Sequence, residues 1–469
     1  MAARPIRLRA LALAAMLALP GAALLAAPPA ARHIEGRLDN GARYRFDVPP
    51  NWNGTLLLFS RGYSAGPSSG PVRNVARGET DLLLARGFAL AASGFSKPGW
   101  ALEEAVPDQV ATLDAFAAQV GKPARTIAWG TSMGGLVTIA LLERHPERFD
   151  AGLALCASAA GTVGMMNAAL DGAFAFKTLL APDSALPVLF DGPAGEGKAQ
   201  LAAWQRQLDA AQDSAQGRAR LALAATLGQV PTWVEAGSAQ PGLRDYAAQQ
   251  QQLYRGFIGA TLLPRDDQLR RAGGNFSWNT GIDYTRQLQR TGRADFVRAL
   301  YADAGLDLGA DLARLAAAPR IAAGAGPLAY MKRNYAPTGR LARPVLLVQT
   351  VSDPVTLAEF NRDYARVAAA AGASGMVREA YVQRVGHCNF KPGETVAALS
   401  ALQQRVADGA WSGATAPALN ALAASIDPDG ADYVPFTPAP FVRPCSGREA
   451  RCAGESAGAT SSIKAAPAP

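Results

Sequence analysis

Gly130-Thr131-Ser132-Met133-Gly134-Gly135 decides how this chain is read. The stretch is a G-x-S-x-G element, common by chance as a bare pattern, and its flanks give it meaning. Before it, Arg125-Thr126-Ile127-Ala128-Trp129 follows a Gly-Lys-Pro turn and predicts a short buried strand. After it, residues 136–144 predict a helix that ends before Pro146. A serine on so tight a strand-to-helix turn needs small residues two before and two after it, because the backbone is strained and helix and strand pack closely. Such a turn exposes the hydroxyl and points the amide of Met133 at the place where an oxyanion would form.

A serine hydroxyl becomes a nucleophile only when a base takes its proton. The chain has three histidines. His33 stands at the start of the expected mature chain. His145 lies in the turn after the Ser132 helix, at the end far from the serine, and reads as a helix C-terminal charge. His387 remains, in Val385-Gly386-His387-Cys388-Asn389-Phe390, directly after the strand-like residues 377–383. The acid that orients the imidazole is expected between serine and histidine, on the loop after the penultimate strand. Pro344-Val345-Leu346-Leu347-Val348-Gln349-Thr350 is that strand, and Asp353-Pro354 is a turn dipeptide at its C-terminal edge. The alternative role for Asp353 is to cap a helix starting near Leu357. Asp283 and Asp363 are distant competitors.

These elements in order, with residues 130–135, Ser352-Asp353-Pro354 and Gly386-His387, resemble an α/β-hydrolase. The likeness covers most of residues 34–158 and 341–408. It implies an α/β fold: a mostly parallel central sheet flanked by helices, with a large helical cap inserted between core strands 6 and 7. It also implies a serine hydrolase in which Ser132, His387 and Asp353 cleave carboxylic esters or lactones through an acyl-enzyme. The alternatives are a serine peptidase or aminopeptidase of the same fold and a non-catalytic binding protein of hydrolase descent; fold alone does not choose among them. In this family the first oxyanion donor follows the third strand, usually in a His-Gly sequence. Here residues 54–59 supply the strand and Ser60-Arg61-Gly62-Tyr63 follows, so Arg61 stands in the histidine's place. The donor is a backbone amide, and the amides of Tyr63 and Met133 form the expected oxyanion hole.

Four cysteines are present. Cys445 and Cys452 close a short loop and pair readily, which leaves Cys156 either with Cys388 or as a buried free thiol; four cysteines allow three pairings. In an α/β-hydrolase the histidine loop folds back across the strand beside the nucleophile, which brings this second pair together. Secreted feruloyl esterases and tannases similarly tie the histidine loop to the nucleophile region. They use the residue before the serine, here Thr131, so their substrates do not carry over.

Composition narrows the rest. A net charge of +8 and a pI near 9.4 raise the question of a nucleic-acid partner. The basic residues are dispersed, without a stripe or interleaved aromatics, so none is expected. Three scattered histidines form no metal-ligand cluster, no phosphate-loop lysine has the required spacing, and no cofactor is expected. Residues 1–31 read as a secretory signal: Arg4, Arg7 and Arg9, then an apolar run from Ala10 through Leu25, then small residues. The expected location is secreted or periplasmic, with no membrane anchor after cleavage and a small ester, lactone or short peptide as substrate.

The catalytic core spans 32–158 and 341–410, the helical cap 159–340, and a C-terminal extension 411–469, disordered from Gly454 onward. Asp39-Asn40-Gly41 predicts a hairpin turn. In the cap, alanine-rich segments such as 201–223 and 294–315 have helical spacing and are broken by Gly and Pro. Residues 273–284 are a polar-aromatic stretch, read as a packed connection or a substrate loop. Met165, Met166, Phe174 and Phe176 read as cap core or pocket wall. Trp100 is a candidate wall of the substrate site. Glu103-Glu104 would serve a peptidase by binding a substrate amine, or a helix by complementing its N-terminal dipole.

Overall fold

The computed structural model describes residues 30–66, 70–189 and 197–445. Most of the stretch read as a signal, residues 1–29, together with Cys452 and the segment from Gly454 onward, lies outside the described residues.

Nine strands form one sheet: β1 (Arg32–Arg37), β2 (Arg43–Val48), β3 (Thr55–Ser60), β4 (Ala89–Ser93), β5 (Arg125–Thr131), β6 (Ala151–Leu155), β7 (Val345–Ser352), β8 (Val377–Val385) and β9 (Tyr433–Val434). Their order is β1-β2-β4-β3-β5-β6-β7-β8-β9. From β4 to β8 every pairing is parallel, while β1, β2 and β9 join antiparallel. Parallel strands are covered on both faces, which is why β3, β4, β6 and β7 are buried along their whole length. The period-2 alternation splits β3 cleanly. Leu56 and Leu58 join the core under the helices Leu102–Gln119 and Met133–Arg144, and Leu57 and Phe59 join the core under Pro392–Asp408.

The strand order reverses once, and that point positions everything below. From β3 the chain moves outward to β4, then returns to the other side of β3 as β5. In open α/β sheets the crevice outside the C-terminal ends of the strands at such a switch holds ligands. The segments that leave β3 and β5 there are Arg61-Gly62-Tyr63 and Ser132.

Between β6 and β7 come nine helices among the described residues, and no strand: Gly161–Leu180, Gly197–Gln212, Ala215–Leu227, Tyr246–Thr261, Asp266–Ala272, Tyr284–Arg290, Ala294–Asp303, Leu308–Ala317 and Ala325–Tyr335. Segments 201–223 and 294–315 each prove to be two helices. The Ser214 side chain accepts the Gly217 amide and starts a new helix inside the first. Gly305, at φ +64°, and Asp307, which accepts the amides of Gly309 and Ala310, do so in the second. Short polar caps outweigh continuous periodicity here. Among the described residues no helix is long and apolar enough to cross a membrane.

The apolar run 433–441 of the C-terminal extension, which composition marks as able to lie along the core, does so at both ends, through Tyr433 and Phe441. Tyr433–Val434 adds an edge strand to β8. Phe441, Val442 and Arg443 are buried, and Arg443 reaches into the helical insertion. Its Nη1 lies 2.5 Å from Asp171 Oδ2, and its Nη2 donates to the Trp278 carbonyl at 2.5 Å. Asp171 also accepts from the Tyr284 hydroxyl at 2.9 Å and from Gln287 Nε2 at 2.8 Å. One buried carboxylate thus joins two helices of the insertion, Gly161–Leu180 and Tyr284–Arg290, to the tail.

Candidate active site

Close packing at the end of β5 dictates the turn. Ser132 has φ +58° and ψ −122°, a conformation L residues rarely adopt. A Cβ on Gly134 would lie 1.9 Å from the Ser60 carbonyl oxygen, and one on Gly130 2.4 Å from the Gly134 oxygen. Gly135 packs against Ala157, where an added Cβ would fall at 2.6 Å. The three glycines let the helix Met133–Arg144 sit against β3 and β6, and that crowding props the serine outward. Met133 opens the helix, so its amide has no intrahelical acceptor.

The partners arrive from the far side of the sheet. β7 and β8 pair to their ends, Ser352 opposite Val385, and the Gly386 amide donates to the Ser352 carbonyl at 2.8 Å. This pairing sets Asp353 beside His387. His387 Nδ1 lies 2.8 Å from Asp353 Oδ2, and Nε2 lies 2.9 Å from Ser132 Oγ. Asp353 is fully buried and its Oδ1 accepts the amides of Val355 and Thr356 at 2.8 and 3.0 Å. It therefore caps its own turn; the following helix, Ala358–Ala370, has Leu357 at its N-cap instead. Asp283 caps Tyr284–Arg290, and Asp363 pairs with Arg366, so both competitors are occupied elsewhere. His145 is the C-cap of the Ser132 helix, and His33 binds Asp47.

Sequence reasoning missed Thr356. Its hydroxyl lies 2.8 Å from Asp353 Oδ2, 3.0 Å from the Cys156 carbonyl and 3.2 Å from His387 Nδ1. It links the acid, the histidine and the disulfide. A threonine three residues after an aspartate is an ordinary turn signal, so nothing in the sequence set it apart.

Cys156 and Cys388 are bonded, with Cα atoms 5.2 Å apart and a sequence separation of 232. Both have positive φ, +43° and +53°. Cys388 Sγ lies 3.5 Å from His387 Nε2, so the bridge packs against the imidazole. Sulfurs in a disulfide carry no thiolate, so Cys156, His387 and Cys388 do not make a metal site despite their proximity. Cys445 is also disulfide-bonded, and its expected partner Cys452 lies outside the described residues. Reduction of Cys156–Cys388 is expected to lower turnover before the fold is lost. The chain-entropy model assigns such a loop about 5 kcal/mol. Activity and far-UV circular dichroism followed in parallel through a dithiothreitol titration check this; activity that falls only with the unfolding signal would refute it.

Above Ser132 is a cavity of about 1050 Å³, at the upper end of the range for small-molecule sites. Its floor includes Gly62, Tyr63, Thr131, Ser132, His387 and Cys388, and the insertion supplies Met165, Met166, Leu263, Pro264 and Gln268. Gly62 comes close to the serine: a Cβ there would be 3.3 Å from Ser132 Cβ. Trp100 lines the cavity and donates from Nε1 to Thr162 at 2.8 Å, so it is wall and packing at once. Met165 and Met166 face the cavity, whereas Phe174 and Phe176 belong to the core of the insertion.

Residues 273–284 do not line the cavity. Trp278 and Asn279 are buried, bonded to Asn167 and Ile321. Nor do Glu103 and Glu104: the first accepts from the Tyr330 hydroxyl at 2.6 Å and the second pairs with Arg271 at 2.9 Å. They fasten the helix Leu102–Gln119 to the insertion.

A serine, a histidine and a buried aspartate in hydrogen-bonded series at the sheet's switch point have the arrangement of a serine hydrolase site. The chain belongs to the α/β-hydrolase superfamily of serine hydrolases, in one family with an o-phthalyl amidase of Xanthobacter agilis, to which it is 31% identical over 432 residues, or 85% of this chain and 93% of that protein. The serine aminopeptidase S33 family model matches residues 92–240, a stretch that holds Ser132 but neither Asp353 nor His387. Among solved structures, feruloyl esterase B from Aspergillus oryzae is similar with 13% identity and a TM-score of 0.39, covering 81% of this chain and 80% of that one. An acylaminoacyl peptidase matches with 12% identity and a TM-score of 0.36, covering 80% of this chain and 41% of that one, so this chain spans less than half of the peptidase.

Proposed function

We propose that this protein hydrolyses small carboxylic amides and the corresponding esters through an acyl-enzyme on Ser132. The observation that carries the reading is the continuous hydrogen-bonded series Ser132–His387–Asp353, at 2.9 and 2.8 Å, on the floor of a roofed cavity. His387 takes the serine proton as Oγ attacks the carbonyl, and Asp353 holds the Nδ1–H tautomer and offsets the imidazolium charge. The amides of Tyr63 and Met133 stabilise the oxyanion. His387 Nε2 then protonates the departing nitrogen or oxygen, and water repeats the sequence to release the acid.

The name of the Xanthobacter relative supports adding amides to the esters and lactones expected from sequence. The same machinery serves both leaving groups once His387 can protonate them. An aminopeptidase is less well supported, because it needs a carboxylate placed for a substrate amine. Among the described cavity-lining residues the one acid is Glu79, which accepts the Arg77 amide. A fluorophosphonate probe tests the reading against a non-catalytic binding protein. Stoichiometric labelling of Ser132 is expected, and absence of labelling at any pH between about 6 and 9 would refute catalysis.

The core at 32–158 and 341–410, the cap at 159–340 and export are parts of the same proposal. The leader-like first thirty-one residues and the paired cysteines support export. Mass spectrometry of the protein recovered outside the cytoplasm is expected to show a new N-terminus close to Ala31. An intact N-terminus on cytoplasmic protein would overturn it.

A further inference from the structure

Asp353 can orient His387 only if its own carboxylate is held still. The residue is fully buried, so its oxygens depend on protein donors. Oδ1 is satisfied within its own turn, by the amides of Val355 and Thr356 at 2.8 and 3.0 Å. Oδ2 is the oxygen that faces the imidazole, 2.8 Å from His387 Nδ1. Among the described residues its other bond comes from one group, the Thr356 hydroxyl, also at 2.8 Å.

Neighbouring groups decide what that hydroxyl does. Gln349 is buried, and its Oε1 accepts the Thr350 amide at 2.8 Å, which fixes Nε2 as the end facing Thr356. Nε2 donates to the Thr356 carbonyl at 2.6 Å and to Oγ1 at 3.3 Å. With Gln349 donating to it, Oγ1 has one proton to give. The acceptors are Asp353 Oδ2 and the Cys156 carbonyl, the latter at 3.0 Å. An ionised carboxylate is the stronger acceptor of the two. Oγ1 also lies 3.2 Å from His387 Nδ1, so hydroxyl, carboxylate oxygen and imidazole nitrogen form a closed triangle.

We infer that Thr356 is a positioning residue for the triad: its hydroxyl holds Asp353 Oδ2 on the Nδ1 edge of His387, and it acts on the reaction through that carboxylate. The inference rests on the hydrolase reading above and adds a fourth residue to it. When the Ser132 proton moves to Nε2, the imidazole becomes a cation whose Nδ1–H still points at Oδ2. An oxygen already fixed at bonding distance stabilises that cation without rearrangement. Without the hydroxyl, Oδ2 keeps one bond of two, and the acid is anchored by Oδ1 alone when the imidazole moves.

Two substitutions separate the hydroxyl from the shape of the side chain. Thr356→Val keeps the branched outline and removes the hydroxyl, whereas Thr356→Ser keeps the hydroxyl and removes the methyl. Thr356→Val is expected to lower kcat roughly 10- to 100-fold with KM within about threefold, the range of one hydrogen bond to a charged group. Thr356→Ser is expected to stay within about threefold of the parent in both constants. A packing role demands the reverse order, valine harmless and serine harmful, and that order overturns the inference. Should Thr356→Val not fold, Thr356→Ala and Thr356→Ser differ by the hydroxyl alone and are read the same way.

A double-mutant cycle shows whether the effect passes through the acid. In an Asp353→Asn background, adding Thr356→Val is expected to cost less than about threefold, and the same loss in both backgrounds overturns the inference. The Nδ1–H proton resonance of His387, assigned by its absence from His387→Ala, gives a readout that needs no turnover. It is expected to shift or broaden in Thr356→Val and to persist in Thr356→Ser; a resonance unchanged in Thr356→Val defeats the inference. Failure of the parent protein to take a fluorophosphonate on Ser132 would sink the hydrolase reading instead, and the resonance would still decide what Thr356 does.

Discussion

Ser132→Ala is expected to leave a folded protein with about 10⁴- to 10⁶-fold lower kcat, and His387→Ala to do nearly the same. The fold should survive because the strain at Ser132 is imposed by its surroundings. The Met133–Arg144 helix is pressed against Ser60 and Arg61 through Gly134, and alanine keeps the Cβ already accommodated at φ +58°. What disappears is the atom that attacks. The double variant should be no worse than either single one, since nucleophile and base act as a unit. Asp353→Asn should cost about 10⁴-fold, because the amide favours the wrong imidazole tautomer. Turnover within tenfold of the parent in Ser132→Ala, with unchanged circular dichroism, would sink the mechanism.

Arg443→Leu is expected to destabilise the protein by about 3–5 kcal/mol, the typical cost of leaving one partner of a buried ion pair alone. Asp171 is fully buried and Arg443 nearly so. Without the guanidinium, the carboxylate keeps only Tyr284 and Gln287. Arg443 also caps the Trp278 carbonyl, so the helices packed on residues 273–284 should loosen too. Urea unfolding of Arg443→Leu and of Arg443→Leu with Asp171→Asn checks this. The second change should restore part of the loss, and a destabilisation below about 1 kcal/mol would mean the pair is solvated.

The two stability-bearing and catalytic centres differ in how far the sequence exposes them. Ser132 is legible because steric demand writes itself into neighbouring residues: glycines at 130, 134 and 135 leave few alternatives. His387 follows from scarcity, since the other histidines sit at a helix end and near the start of the chain. Asp353 is legible from strand order, because β7 must end where the acid is wanted. The cysteine pair follows from the same logic of strand ends. Thr356 and Asp171–Arg443 are different. Their roles depend on which groups meet across hundreds of residues, and one-dimensional patterns carry no record of that. That the segments 201–223 and 294–315 are broken is legible, but the places of the breaks, 213–215 and 303–308, are blurred by alanine, whose helical preference runs through a boundary that a single capping side chain can set.

The Cys156–Cys388 bond closes a ring in the covalent structure. Ser132 lies before the first cysteine, and His387 immediately precedes the second. Every backbone bond of the insertion, including the exposed turn around Leu243, lies inside the ring. A protease that cuts once there opens the ring but divides nothing: the halves bearing serine and histidine stay covalently joined beside the sheet. In surroundings rich in peptidases, the molecule can carry a nick in this exposed turn while its two halves stay covalently joined.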